Sequence, residues 1–177
     1  MATNNLGKLW QLVRKYCDEQ DEELVALILD DERFQKGAGG ASHHHAYSGG
    51  LVDHTLEVAE YAMSMTDDQR ERRNALIAAI FHDYGKIHDY KIGEDGTVSN
   101  TDFCRLIGHL PWSWHFFVNA AEEMHYGDSW VSEISHALLA HHGRKEWKSP
   151  VEPQTKLAFI LHSADMLSMQ GNKRGQS

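Results

Sequence analysis

An all-helical fold is the expectation for this chain, and three observations predict it. Apolar residues recur three and four positions apart in segment after segment, the signature of helices with one buried face. The only stretch that alternates like a strand flanks Glu94, Asp95 and Gly96, enough for one small β-hairpin near residues 89–99. The 177 residues, 41% hydrophobic and 24% charged, suffice to bury a real core and suit a single globular domain.

The first helix is expected over residues 6–17, where Leu6, Leu9, Trp10, Val13 and Cys17 fall at helical spacing. Asp21, Glu22 and Glu23 then place acids in the first turn of a second helix through residues 24–29. These acids read as solvated faces without function. Gly37, Gly39 and Gly40 mark a loop over 37–42. After His43, His44, His45, Ala46, Tyr47 and Ser48 comes a helix over 51–65. There Leu51, His54, Val58 and Ala62 share a face, so His54 points where the apolar residues point. A lone histidine so placed is more often a hydrogen-bonded core residue than a ligand.

Residues 67–73 read as a charged connection into the apolar run Ala75, Leu76, Ile77, Ala78, Ala79, Ile80, Phe81, which ends on His82 and Asp83. A helix over 105–124 holds His109, with Pro111 tolerable near a helix start. Over 130–142, Trp130, Ile134, Ala137, Leu138 and His141 form one stripe, and Val131, Leu138, Leu139 and His142 its neighbour, so both histidines face inward. Gly143 ends that helix, and 144–150 is a polar loop. A last helix over 154–169 puts Asp165 one turn after Leu161 and His162. The domain is thus expected over residues 1–170, with the 1–21 segment packing on it and 171–177 as a flexible tail.

Several function classes are disfavoured. No apolar run nears the roughly 20 residues of a membrane span, and the N-terminus lacks a secretion-signal pattern. Two cysteines, Cys17 and Cys104, make no disulfide framework, so a cytoplasmic location is expected. A net charge of −9 argues against a broad surface that tracks nucleic-acid phosphates, though not against a local basic mouth. A homo-oligomer is compatible with the sequence but not specified by it.

The chemistry lies in the histidines and inward carboxylates. His82 lies over Ala78 and Ala79, and Asp83 over Ala79 and Ile80, so both polar groups face the core. A carboxylate there is expensive unless a cation is near, and a metal ion suits adjacent imidazole and carboxylate groups. Asp165 in mid-helix makes the same demand. In chain order the inward candidates are His54, His82, Asp83, His109, His141, His142 and Asp165.

That order resembles the HD superfamily of metal-dependent phosphohydrolases, an all-helical fold. The run from His44 through Gly49, Gly50 and His54 to Glu57 looks like the entry motif of the HD domain in YhaM-type 3′–5′ exoribonucleases. His141, His142, Gly143, Arg144, Lys145 and Glu146, then Ser149, Pro150, Val151 and Pro153, look like its later motif, and Asp30 to Phe34 fits as well. The triple histidine with Gly49, Gly50 and His54 is also similar to the HD domain of MobH-type conjugative relaxases. The YhaM-type enzymes carry a further nucleic-acid-binding module, for which this chain has no room.

The resemblance implies two metal sites. His54, His82, Asp83 and Asp165 would hold one ion; Asp83 would bridge to a second held by His109, His141 and His142. Two ions about 4 Å apart can activate a hydroxide and bind the scissile phosphate together. Without thiolates, manganese, iron, cobalt, nickel or zinc would all serve. Asp83 and Lys86 are the catalytic candidates. Lys86 lies one turn beyond Asp83, where it could reach a phosphate oxygen or simply answer the helix end. His44, His45, Tyr47, Lys86, Arg144 and Lys145 are the candidate substrate contacts. His162 is one turn from Asp165 and could support it from behind.

The function expected is hydrolysis of phosphoester bonds in nucleotides or at the 3′ end of short nucleic acids. Two other classes stand beside it: an HD-type di-iron oxygenase using the same ligands, and a non-catalytic metal-stabilised binding module.

Overall fold

A computed structural model of the chain describes residues 2–42 and 45–171. Its helices are α1 (Ala2–Tyr16), α2 (Glu19–Leu29), α3 (Glu32–Lys36), α4 (Gly50–Ser64), α5 (Gln69–Phe81) and α6 (Lys86–Asp89), then α7 (Asp102–Leu106), α8 (His109–Glu123), α9 (Asp128–Ala140) and α10 (Lys156–Gly171). Between α6 and α7, strands β1 (Tyr90–Ile92) and β2 (Val98–Asn100) pair antiparallel, Tyr90 opposite Asn100 and Ile92 opposite Val98. The all-α expectation with one hairpin is met. Among the described residues, no helix is long and apolar enough to cross a membrane. His43, His44 and the 172–177 stretch of the expected tail lie outside the described residues.

Helix α5 is the axis of the packing. From Ala75 to Phe81 every side chain is fully buried. A helix that is apolar all round must be surrounded, and α1, α2, α4, α8, α9 and α10 all pack against it. Each buried Leu, Ile or Phe there contributes about 1.5–3 kcal/mol relative to exposure. The outcome for function is positional: the C-terminal end of α5, with His82 and Asp83, is delivered to the middle of the molecule.

Local chemistry moves some boundaries from those the periodicity suggests. The charged stretch before α5 is largely helix rather than connection, because Asp68 accepts the Glu71 backbone N–H at 3.0 Å and starts the first turn. The expected helix over 105–124 is two helices. Gly108, at φ 78°, breaks the chain between α7 and α8, so His109 opens α8 and Pro111 falls in its first turn.

Asp21 corrects the reading of the N-terminal acids as solvated. Its side chain is fully buried. It closes a capping box with Asp18 and accepts two hydrogen bonds of 2.5 Å from the Arg73 guanidinium and one of 2.9 Å from the Tyr126 hydroxyl. Arg73 lies 5.1 Å from the Trp130 ring centre, and the Trp130 indole N–H donates to Asn74 at 2.9 Å. This cluster ties α2 to α5 and α9. Asp21→Ala leaves the Arg73 charge without its buried partner and is expected to lower stability by about 3 kcal/mol, the low end for a broken buried pair because Arg73 is partly exposed. Urea denaturation checks this; a loss below about 0.5 kcal/mol would mark the pair as effectively solvated.

Candidate metal centre

Three helix ends and two helix flanks bring the candidate ligands together. His82 follows the last residue of α5 and turns its ring back, so that Nδ1 donates to the Ala79 carbonyl at 2.7 Å. His141 does the same at the end of α9, with Nδ1 donating to the Leu138 carbonyl at 2.7 Å. His54 projects from the buried face of α4 that carries Leu51, Val58 and Ala62, as its spacing predicts. His109 opens α8, and Asp165 lies on α10.

The remaining rings are committed in the same way. His109 Nδ1 donates to Asp89 at 2.7 Å, His142 Nδ1 to the Trp147 carbonyl at 3.1 Å, and His54 Nδ1 to the Ser168 hydroxyl at 3.0 Å. Ser168 passes its own proton on to Glu57 at 2.7 Å. With Nδ1 carrying the proton, each neutral ring presents an Nε2 lone pair.

Those lone pairs converge. The donor atoms of His54, His82 and Asp165 lie within 4.8 Å of one another, as do those of His109, His141 and His142. Asp83 sits between the groups. Its Oδ2 is 3.0 Å from His54 Nε2 and 3.3 Å from His82 Nε2, while Oδ1 is 3.3 Å from His109 Nε2 and 3.6 Å from His141 Nε2. Within the groups, Nε2 atoms of His54 and His82, and of His109 and His142, approach to 3.3 Å.

Lone pairs facing lone pairs and carboxylate oxygens repel unless a cation lies among them. Both Asp83 oxygens and His141 Nε2 are buried without a well-formed hydrogen bond, although the Lys86 ammonium ion-pairs with Asp83. The residues therefore fit divalent cations, one donor group on each side of Asp83. Protonation states agree. Burial would raise the Asp83 carboxyl, but the charges of His82 and Lys86 outweigh it and hold it well below the usual carboxylate range. Asp165 is likewise held down, chiefly by His54, against the effect of burial. Burial pushes His141 down, and burial with the neighbouring His141 and His109 rings pushes His142 to about 3. His54 is the exception: burial is outweighed by Asp165 and Asp83, which raise it, so a cation held there would displace a proton. Ionised carboxylates and neutral imidazoles are the ligand forms metals require.

The family model described as HD domain matches residues 51–170, from the helix bearing His54 to the helix bearing Asp165. The chain belongs to the HD-domain family. Among curated proteins it is similar to those named 3'-5' exoribonuclease YhaM. The Listeria welshimeri protein is 34% identical over 177 residues, 97% of this chain and 51% of the relative. The Oceanobacillus iheyensis protein is 27% identical over 174 residues, 96% and 50%, and that of Bacillus subtilis 29% over 144 residues, 80% and 45%. The chain thus spans about half the length of these relatives. No solved structure gave a significant match.

Around the HD pair, support comes from residues that the sequence did not single out. Asp89, 1% exposed, accepts from both Nδ1 and the backbone N–H of His109. No periodicity marks it, since its partner lies twenty residues on. Ser168 lies three residues beyond Asp165 on α10 and so shares its face, but its role behind His54 depends on a partner 114 residues away. His162, expected behind Asp165, instead donates from Nδ1 to the His141 carbonyl at 2.7 Å. Gly85 allows α8 to approach: a Cβ there would lie 2.5 Å from the His109 carbonyl oxygen, and its N–H donates to Ser113 at 2.9 Å.

A cavity of about 430 Å³ opens over Asp83, His109, His142 and Asp165, with Lys86 on its wall. Lys86 Nζ also donates to the Gly39 carbonyl at 2.8 Å. Among the described residues, the other expected substrate contacts do not line this cavity. His45 is buried behind His54, their rings 5.5 Å apart, with Nε2 3.2 Å from Glu57. Tyr47 is exposed and donates to Asp53 at 2.7 Å. Arg144 borders a separate hollow, with its guanidinium 5.2 Å from the Trp147 ring centre. Lys145 is exposed, and His44 lies outside the described residues.

Asp83→Ala removes the only carboxylate that, among the described residues, faces both groups, and is expected to lose most of the metal that the wild-type protein retains after loading and gel filtration. Elemental analysis checks this; full occupancy would exclude Asp83 as the shared ligand. Replacing His141 and His142 together by alanine is expected to leave about half the bound metal, because the other group keeps its own donors. Unchanged metal content would show the two rings to be core histidines.

Proposed function

We propose that this chain cleaves phosphoester bonds of nucleotides, or of the 3′ end of short nucleic acids, at a binuclear metal centre. The observation that carries the reading is Asp83, with one oxygen turned to each histidine group. In it His54, His82 and Asp165 would hold one ion and His109, His141 and His142 the other, with Asp83 shared. Manganese, iron, cobalt, nickel or zinc suit this nitrogen and oxygen donor set. When bound, such ions supply a water of lowered pKa as nucleophile and offset charge on the phosphoryl oxygens.

The protein's own groups do the rest. Asp89, Ser168 and the carbonyls of Ala79, Leu138 and Trp147 keep the imidazoles in one tautomer and orientation. Lys86, anchored on Gly39, presents an ammonium to the cavity suited to a phosphoryl oxygen. Burial of the carboxylates restricts bulk water at the reacting centre.

The relatives named 3'-5' exoribonuclease support a nucleic-acid or nucleotide substrate. The net charge of −9, and Lys86 as the one cation that the described residues place on the cavity wall, favour a short one. Metal-loaded protein should be screened against nucleoside mono- and triphosphates, cyclic dinucleotides and short RNA and DNA oligomers. Absence of turnover on all of them, at full metal loading, would overturn the proposal. On an active oligonucleotide, turnover is expected to fall with salt at a log–log slope of about −2 or shallower, as for roughly two or three phosphate contacts. A slope near −5, with strong preference for the longer oligomer, would instead mark a polymer nuclease.

A further inference from the structure

The cavity over the HD pair has a wall that cleaving a phosphoester does not itself require. Trp147, Tyr90, Met166 and Met169 line it beside the ionised floor. Trp147 is 47% exposed and Met169 44%. Large apolar side chains left open next to a charged centre cost hydration in the free protein, and they repay it when a flat apolar group covers them.

Trp147 is held firmly although it lies in a loop. It closes the short 3-10 turn Lys145–Trp147, and Lys148 follows at φ 68°. Its carbonyl accepts the His142 Nδ1 proton at 3.1 Å, and the Arg144 guanidinium lies 5.2 Å from its ring centre. The main chain of Trp147 thus orients a histidine of the floor while its side chain forms the wall. On the facing element, Met166 and Met169 follow Asp165 by one and four positions, so α10 contributes a floor carboxylate and wall thioethers together. Methionine adapts its shape to flat ligands of different outline. Apart from the Tyr90 hydroxyl and the Trp147 indole N–H, these four wall side chains offer no strong hydrogen-bonding group with which to read base edges.

Resting on the phosphohydrolase reading, we infer that Trp147, Met166 and Met169 form a nucleobase site that stacks the base of the nucleotide whose phosphate lies over Asp83, with little choice among the four bases. The cavity volume of about 430 Å³ lies toward the lower end of the roughly 300–1,000 Å³ of small-molecule sites, which suits one nucleotide unit. A sugar phosphate without a base would leave the wall uncovered.

Calorimetric binding of the four nucleoside 5′-monophosphates and of ribose 5-phosphate to metal-loaded protein tests this without needing turnover. Each nucleotide is expected to bind about tenfold more tightly than ribose 5-phosphate, and the four to agree within about threefold. Trp147→Ala keeps the carbonyl that holds His142, and it should bring nucleotide affinity to within about threefold of ribose 5-phosphate, with Trp147→Phe recovering most of the difference. Met169→Ala probes the same wall from α10 and should lower nucleotide affinity more than ribose 5-phosphate affinity. Equal binding of nucleotides and ribose 5-phosphate to the wild type, equal loss of both in Trp147→Ala, or selection of one base by more than about thirtyfold would overturn the inference. Trp147-dependent nucleotide binding in a protein that cleaves no phosphoester would keep the base site and remove the hydrolase reading. Cleavage indifferent to the base would do the reverse.

Discussion

Asp83 is 2% exposed at the end of a helix whose closing residues, Ala75 to Phe81, have no exposed surface at all. Ionised there, a carboxylate loses the hydration that would stabilise it and must be compensated from within the protein. Much of the surrounding architecture answers that demand. Lys86 reaches back from the next turn, and imidazoles arrive from α4, α5, α8 and α9. The apolar helix sets the problem by its burial, and the neighbouring helices carry the groups that solve it.

The way the rings are held follows from the backbone. The last turn of an α-helix leaves carbonyl oxygens without intrahelical donors. At the ends of α5 and α9 a histidine supplies the missing proton from its own Nδ1, to Ala79 and to Leu138. One hydrogen bond therefore finishes the helix and fixes the tautomer of the ring. Both helices also turn their C-terminal ends, the negative poles of their dipoles, toward the same place. That polarity favours positive charge where the Nε2 lone pairs meet, independently of any side-chain carboxylate.

Much of this was legible because the centre is built on periodic elements. His54 shares a face with Leu51 and Val58, His82 and Asp83 end an apolar run, and His141 and His142 end a double stripe, so spacing alone turned them inward. The features that spacing could not reveal depend on partners far along the chain. Asp21 looked like an ordinary helix-start acid, and only Arg73, fifty-two residues later, makes it a buried anchor. Asp89 has no pattern of its own and acquires its role from His109. The loop at 144–150 read as polar, yet it carries Trp147, whose carbonyl and ring both face the centre. The separation of α7 from α8 rested on the left-handed conformation of Gly108, which an apolar periodicity does not encode.

The hydrogen bond between His54 and Ser168 joins positions 114 residues apart. His54 is synthesised well before its orienting hydroxyl and the Asp165 carboxylate, which lie far beyond it along the chain. Closing so long a loop costs chain entropy that shorter-range contacts must already have offset. Until α10 docks, His54 lacks the hydroxyl that orients it, whereas His82 is already held by its own helix end. The fold thus makes completion of the donor set a late event, coupled to the closing of the whole domain rather than to any local segment.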